Sequence, residues 1–140
     1  MTIDPAIRSL LDGWLQAVRA SDASAIASHY SPDVVAFDAI QQLQFRGIEA
    51  YIAHWQYCMT QCSEPTFEMH ELHVESAGDV AFGHYLALCG GTNEKGERGQ
   101  SWMRASIGLR REQGQWKIAH EHFSAPFDMA SGAAIFDAQP

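Results

Sequence analysis

Two histidines and a serine alternate near the end of the chain, at His120, His122 and Ser124. They lie in a segment of strand-forming composition that follows a glycine turn. Because successive side chains of a strand point to opposite faces, these three groups are expected to share one face with Trp116 and Ile118. An imidazole can gain or lose a proton near neutral pH. This face therefore predicts proton-transfer chemistry, or the anchoring of a ligand, at one end of an apolar pocket.

Other roles for this histidine pair are open from the residues alone. His120 and His122 could form a hydrogen-bonded structural network. Two histidines at i, i+2 on a strand can also reach one zinc ion. A third metal ligand would have to come from His84, Glu71 or His73.

Asp38 is the candidate general base, since it follows the apolar run 34–37 at the end of a predicted strand. In a hydrophobic pocket the pKa of a carboxyl group rises, which suits a base or acid that works near neutral pH. The alternative is a surface aspartate at a strand end.

Two further strands carry candidate binding residues. His84 shares a strand face with Phe82 and Leu86, and it would lie in the pocket wall if that face is concave. A core histidine is the alternative. Arg104 and Ser106 share another face, from which an inward arginine would bind a carboxylate or enolate through two hydrogen bonds. On the outer face Arg104 would be solvated or lie in a dimer interface, and a single β-bulge would exchange the two faces.

Four aromatic residues lie on predicted helix faces that should point towards the sheet: Trp14, Tyr30, Tyr51 and Trp55. They are expected to fill the core, with one or two of them lining the pocket and stacking on a flat ligand.

Composition narrows the class of protein. The chain has 140 residues, is 46% hydrophobic and carries a formal net charge of −8. The length suits one domain, and the negative charge argues against nucleic acid as a partner. No apolar stretch approaches the roughly 18 residues of a membrane span, and no signal peptide is apparent. Three cysteines without an export signal favour reduced thiols and a cytoplasmic location.

The order of predicted elements defines the fold class. A helix begins at Asp4-Pro5, and a second one after Asp22 includes Tyr30 and ends at Pro32. A strand follows at 34–40, then a helix after Gly47, then four strands in a meander. This order predicts a single α+β domain over 1–140, a cone in which three helices pack on a curved antiparallel sheet. Residues 129–140 are expected to form a loosely held tail.

Four pieces of the sequence resemble one superfamily. They are LDGWLQAV at 11–18 with the Ser-Asp pair at 21–22, YSPDVVAFD at 30–38, FRGIEAY at 45–51, and 104–106 with WKIAHEHFS at 116–124. Over roughly residues 5–127 the chain resembles the nuclear-transport-factor-two-like superfamily, and its SnoaL-like and ketosteroid-isomerase-like branches fit best. The resemblance implies a cone with a small-molecule pocket at its mouth, and no metal or other cofactor.

In ketosteroid isomerases an aspartate after the first strand shuttles a proton, and Asp38 falls at the matching place. The two positions that match the oxyanion hole of those enzymes carry different residues here. One is Trp14, and the other falls near Ser106 or Ile107, where no carboxylic acid stands. A steroid isomerase is therefore not expected.

The sequence leads to two hypotheses of function. The first is a small cofactor-independent enzyme that transfers protons on an apolar carbonyl compound, with Asp38 as base, His120 or His122 as acid, and Arg104 stabilising negative charge. The second is a non-catalytic module that self-associates and binds a small anionic or aromatic ligand through Arg104, His120 and His122. The ending His-x-His-x-Ser resembles the calcium/calmodulin-dependent kinase association domain, which is such a module.

Both hypotheses expect a homodimer. The convex face of the sheet would carry Phe123 and, on one parity, Ile107 and Leu109, which need cover.

Overall fold

Three helices and six strands make up the protein in the computed structural model, which describes residues 2–140. In chain order they are α1 (Pro5–Arg19), α2 (Ala23–Ala27), β1 (Tyr30–Phe37), β2 (Phe45–Arg46), α3 (Ile48–Gln61), β3 (Ser63–Ala77), β4 (Val80–Thr92), β5 (Arg98–Glu112) and β6 (Gln115–Ser124). The strands form one curved, open sheet in the order β2-β1-β6-β5-β4-β3, and the helices cover one of its faces. The predicted α+β class is confirmed.

The first helix begins where the sequence predicts. The Asp4 carboxylate accepts a hydrogen bond from the backbone N–H of Ala6 at 2.8 Å, and Pro5 occupies the first turn. This cap satisfies donors that the helix itself leaves unpaired. The buried stripe of α1, which includes Leu11 and Trp14, lies against the sheet.

The second helix is shorter than predicted. It ends at Ala27, and Tyr30 already belongs to β1. Pro32 lies inside this strand, where the register with β6 shifts between Tyr30 and Val35. A proline lacks the N–H that a sheet ladder needs, and it is tolerated where the ladder is interrupted. The prediction that Pro32 ends a helix carrying Tyr30 was therefore wrong.

The sheet is mixed rather than wholly antiparallel. The strands β3 to β6 form the expected antiparallel meander, but β1 pairs with β6 in parallel. The three reversals of the meander leave β6 running opposite to β3. The chain crosses from β2 to β3 through α3, and this long connection leaves the direction of β3 free. The meander can therefore end with β6 beside β1 and running in the same direction.

A bulge in β6 exchanges the two faces of that strand. Ile118 pairs with Leu109, but the next pair joins His120 to Gly108, so Ala119 is the extra residue. An extra residue inverts the alternation of all side chains beyond it. We call the sheet face under the helices the inner face and the opposite one the outer face.

The tail after β6 folds into a small hairpin, in which Phe127 and Ala134 form a β-bridge. The Trp102 N–H donates to the carbonyl oxygen of Phe136 at 2.9 Å, which ties the tail to β5. Most tail side chains are exposed. Little side-chain burial therefore restrains this segment. That the tail is loosely held stays a prediction.

Within residues 2–140, the helices all lack the combination of length and apolar character that crossing a bilayer requires.

Candidate functional site

A cavity of about 260 Å³ lies between the third helix and the inner face of the sheet. Its walls are mostly apolar or sulfur-containing, and all three cysteines contribute to them. The lining residues are Val18, Ser21, Asp38, Ile40, His54, Trp55, Cys58, Met59, Cys62, Pro65, Thr66, Phe67, Cys89, Gly90, Met103 and Phe123. Such a concave, largely apolar space with a few polar groups is typical of a small-molecule site.

Asp38 and His54 form a hydrogen-bonded pair in this wall. The distance from His54 Nε2 to Asp38 Oδ2 is 2.5 Å, and their side chains are only 5% and 14% exposed respectively. Asp38 immediately follows β1, while His54 lies on the buried side of α3. The ring of Phe45 stacks on the imidazole at 4.1 Å between centroids, which fixes its plane. A carboxylate and an imidazole in this arrangement can hold and transfer a proton.

Cys58 completes a local cluster but is poorly suited to act as a nucleophile. Its Sγ lies 3.7 Å from the same His54 Nε2 that contacts Asp38. In a catalytic triad the nucleophile and the carboxylate instead use different ring nitrogens. Burial, together with the nearby Asp38, raises the pKa of the Cys58 thiol to about 11. The cluster therefore favours acid–base chemistry over covalent catalysis.

Behind the cavity wall, four buried side chains from four elements share one hydrogen-bond network. Glu121 Oε2 accepts from Tyr51 Oη at 2.5 Å and from Tyr30 Oη at 2.8 Å. The indole N–H of Trp14 donates to Tyr30 Oη at 2.8 Å. The pKa of Glu121 is raised to about 7, above all by burial; the hydrogen bonds from Tyr51 and Tyr30 oppose this shift, and the charge of Asp38 adds to it. Glu121 therefore holds a proton in part of its population at neutral pH.

His120 and His122 do not face the cavity, which corrects the prediction that they share a face with Trp116 and Ile118. The bulge at Ala119 leaves those two apolar residues on the inner face and turns both histidines to the outer face. His120 Nδ1 lies 2.6 Å from the carbonyl oxygen of Val35, and the Phe37 ring packs edge-on against both imidazoles. The predicted meeting of these histidines with Asp38 in one hollow is therefore wrong.

The candidate binding residues of the neighbouring strands also lie outside. His84 is exposed and its ring stacks on that of His73 at 5.3 Å. Arg104 is exposed and donates from Nε to Ser124 Oγ at 3.2 Å, and Ser106 is exposed beside it. The alternation along β4 and β5 was predicted correctly, but the face that carries these residues is convex. Within residues 2–140, no group of three or more His, Cys, Asp or Glu side chains is arranged to hold a metal ion.

These side chains form a continuous row across the outer face. Successive cross-strand partners are His73, His84, Ser106, His122 and Phe37, which reach from β3 to β1. By contrast, the inner face buries Phe123, Ile107 and Leu109. The prediction that these three apolar residues need cover from a second subunit was therefore wrong.

The structure divides the four aromatic residues between the core and the cavity wall. Trp14, Tyr30 and Tyr51 are buried. Trp55 lines the cavity, and its ring packs edge-on against Trp14 at 6.0 Å.

Sequence reasoning missed two residues of the site, His54 and Glu121. His54 lies three positions after Tyr51 on the apolar stripe of a helix, and that spacing was the available signal. Simple alternation along the strand places Glu121 on the face opposite His120 and His122, and so away from the pocket. Only the pairing with β5 reveals the bulge that turns Glu121 inward.

Solved structures of other proteins share this architecture. An NTF2-like protein of unknown function from Pseudomonas putida KT2440 is 48% identical, with a TM-score of 0.87 over 96% of this chain and 94% of that one. A ketosteroid isomerase-like protein from Erwinia carotovora atroseptica is 20% identical, with a TM-score of 0.73 over 85% and 92%. A proposed calcium/calmodulin dependent protein kinase II association domain from Xanthomonas campestris is 20% identical, with a TM-score of 0.77 over 89% and 93%. The search of curated proteins found no match.

The cone of helices and sheet with its internal cavity defines a member of the nuclear-transport-factor-two-like superfamily. Within that class, the model of the SnoaL-like domain family matches residues 7–128, so the chain belongs to the SnoaL-like family. This family holds isomerases and dehydratases alongside many proteins whose activity is unknown.

Proposed function

We propose that this protein is a cofactor-independent enzyme that transfers protons on an apolar carbonyl compound, with Asp38 and His54 as its acid–base pair. The observation that carries the proposal is the 2.5 Å contact between these two side chains in the wall of an apolar cavity. A relative described as ketosteroid isomerase-like has the same fold and agrees with this class of chemistry.

The geometry gives each group a role. Asp38 Oδ2 is bonded to His54, which leaves Oδ1 to take a proton from a carbon next to the substrate carbonyl. The imidazole orients the carboxylate and stabilises its charge in surroundings of low dielectric. The indole Nε1 of Trp55, on a cavity-lining residue, has no acceptor within residues 2–140. Because this atom is itself buried, the carbonyl oxygen of a bound ligand would reach it only if the Trp55 ring turned.

The size and walls of the cavity suit a compact, flat ligand. Aromatic rings and thioether or thiol sulfurs make favourable contacts, and Met59, Met103 and Cys89 lie in the lining with Phe67 and Phe123. We therefore expect an aromatic or alicyclic ketone rather than a charged sugar or nucleotide.

The test is proton exchange in a bicyclic ketone. 2-Tetralone carries acidic protons next to its carbonyl, and their replacement in D₂O can be followed by proton NMR. Wild-type protein should accelerate exchange over buffer, and Asp38→Asn should lower that acceleration by about 10²- to 10⁴-fold, the usual range for a general base.

A matched control is Asp33→Asn, the same substitution on β1 at a side chain that is 73% exposed. It should leave exchange unchanged. Equal acceleration by the wild type and Asp38→Asn, or none by the wild type, would contradict the proposal.

A second candidate function, self-association around a bound ligand, has its own supporting observation. The outer face exposes Phe37, Val80 and Phe82, with exposed fractions of 37%, 59% and 54%. Solvent-exposed aromatic residues on one face are typical of an interaction surface. A relative of the same fold is described as an association domain.

A second copy of this chain is the occupant that we propose for the outer face. That face carries carboxylates on β3, at Glu68 and Glu75, and the cation of Arg104 on β5. We expect a twofold axis that runs parallel to the strands and lies between β4 and β5. It would place β3 of each copy over β6 of the other copy, opposite His120 and His122. Such an arrangement places the same strands of both copies in contact, as a twofold interface requires.

A further inference from the structure

Glu121 is a buried titratable group that the proposed proton transfer does not use. It is 1% exposed, and its carboxylate is held by hydroxyl groups from β1 and α3. Burying a carboxyl group is costly unless it is neutral or well paired. A network that spans four elements of the fold around one such group needs an explanation beyond packing.

The network is linked to the Asp38–His54 pair through the third helix. Tyr51 donates to Glu121, and His54 follows it by three residues on the same face of α3. The Phe45 ring lies against both of them, at 5.8 Å from the Tyr51 ring and 4.1 Å from the imidazole. The anchoring of Tyr51 therefore fixes the rotation of the helix turn that carries His54.

The two sites also interact through charge. The negative charge of Asp38 raises the pKa of Glu121. The ionised carboxylates of Asp38 and Glu121 therefore repel each other, and a change of charge at Glu121 acts on the neighbouring pair.

The other titratable groups around Glu121 stay protonated in the neutral range. Burial raises the pKa of Tyr30 on β1, Tyr51 on α3 and Tyr85 on β4 well above the ordinary value. On β5, the residue paired with Glu121 is the apolar Ile107. Helix α1 contributes the indole of Trp14, which does not titrate. Within this surrounding, Glu121 is the group whose proton occupancy changes near neutral pH.

We infer that Glu121 is a positioning residue for the Asp38–His54 pair, which it holds in place through the hydrogen bond of Tyr51 and on which its own charge acts. The inference rests on the proposed function, because it concerns the pair that would transfer the proton. The coupling between Glu121 and that pair, however, is a property of the ligand-free protein. It can therefore be tested without a substrate.

The direct experiment is an NMR titration of the His54 ring in the ligand-free protein between pH 5 and pH 9. The resonance is assigned by its loss in His54→Gln. In the wild type the His54 shift should show a second step as Glu121 ionises. In Glu121→Gln, which keeps an acceptor for both tyrosines but cannot ionise, that step should vanish and the midpoint should move to lower pH. An unchanged His54 titration in the variant would overturn the inference.

A further measurement covers the case in which Glu121→Gln does not fold. The ¹³C resonance of the Glu121 carboxyl, followed in the wild type, should titrate with the midpoint of the second step at His54. Different midpoints would overturn the inference.

The result is distinguishable from the test of the proposed function. If 2-tetralone exchange is absent but the coupled titration is present, the positioning role stands and the enzymatic role fails. If exchange is present, its pH–rate profile should lose one inflection in Glu121→Gln. An unaltered profile in a folded variant would count against Glu121 while leaving Asp38 in place.

Discussion

Glu121 lies in a part of the molecule from which water is excluded, and this has a consequence for stability. Its pKa is raised from 4.5 to about 7 in the folded state, first of all by burial. Between these two pH values the folded chain holds a proton that the unfolded chain has released. The folded state therefore binds more protons, and the free energy of unfolding falls as pH rises. The stabilisation is complete below pH 4.5 and lost above about pH 7.

We predict that Glu121→Gln removes this part of the pH dependence. Relative to the wild type, the free energy of unfolding of the variant should rise by about 3 kcal/mol between pH 4.5 and pH 8, the equivalent of the shift above. Urea unfolding at several pH values measures it. Glu49→Gln, at an exposed residue in the first turn of α3, is the control and should run parallel to the wild type. Parallel curves for Glu121→Gln would contradict the burial argument.

Asp38 is a residue of the candidate site that the sequence alone could indicate. An acid directly after an apolar strand is a recognisable pattern, and Asp38 does lie in the cavity wall. No comparable pattern indicates its partner His54, because a histidine on the apolar stripe of a helix can lie in the core, on the surface or in a functional site. The assignment of Asp38 as a base stays a prediction.

At the scale of elements, β4 has no room for a side chain at Gly90, where it passes between β3 and β5. A side chain added at Gly90 would place its Cβ 2.6 Å from the Gly99 carbonyl oxygen and 2.8 Å from Thr66 Oγ1. The first of these atoms is backbone and cannot turn away. This spacing also shapes the cavity, since Gly90 is part of its lining.

Gly90→Ala should therefore destabilise the protein by about 1–3 kcal/mol, the usual cost of overpacking. Gly99→Ala is the matched control on the adjacent strand, because its added Cβ would meet nothing within 4 Å. Thermal unfolding of both variants compares them. Equal stability of the two would mean that β4 and β5 can separate without cost.

The bulge of β6 is the element that decides which chemistry enters the cone. With strict alternation, His120 and His122 would lie inside; with Ala119 inserted, Glu121 and Phe123 do. Nothing in the residues 115–124 marks the bulge, because both alternations place apolar groups on each face. The choice depends on pairing with β5, which is a long-range contact.

At the scale of the whole molecule, the outer face exposes apolar side chains that a partner could cover. We predict that the protein is a homodimer at micromolar concentration and that Phe82→Glu shifts it towards monomer, since the substitution places a charge among exposed aromatic groups. Sedimentation velocity measures the change. The control is Tyr57→Glu, which alters a 45% exposed aromatic residue on α3, in the helix layer. A monomeric wild type, or a dimer insensitive to Phe82, would contradict this interface.

By itself, the sequence determined the fold class, the helix cap at Asp4, the meander of long strands and the family. These features follow from local propensity and from periodic burial, which neighbouring residues encode. The tertiary structure decided which faces are concave, that β1 runs parallel to β6, and that Asp38 meets His54 rather than the two histidines of β6. Those outcomes depend on strand register and on one inserted residue, and the contacts that fix them join positions far apart in the chain.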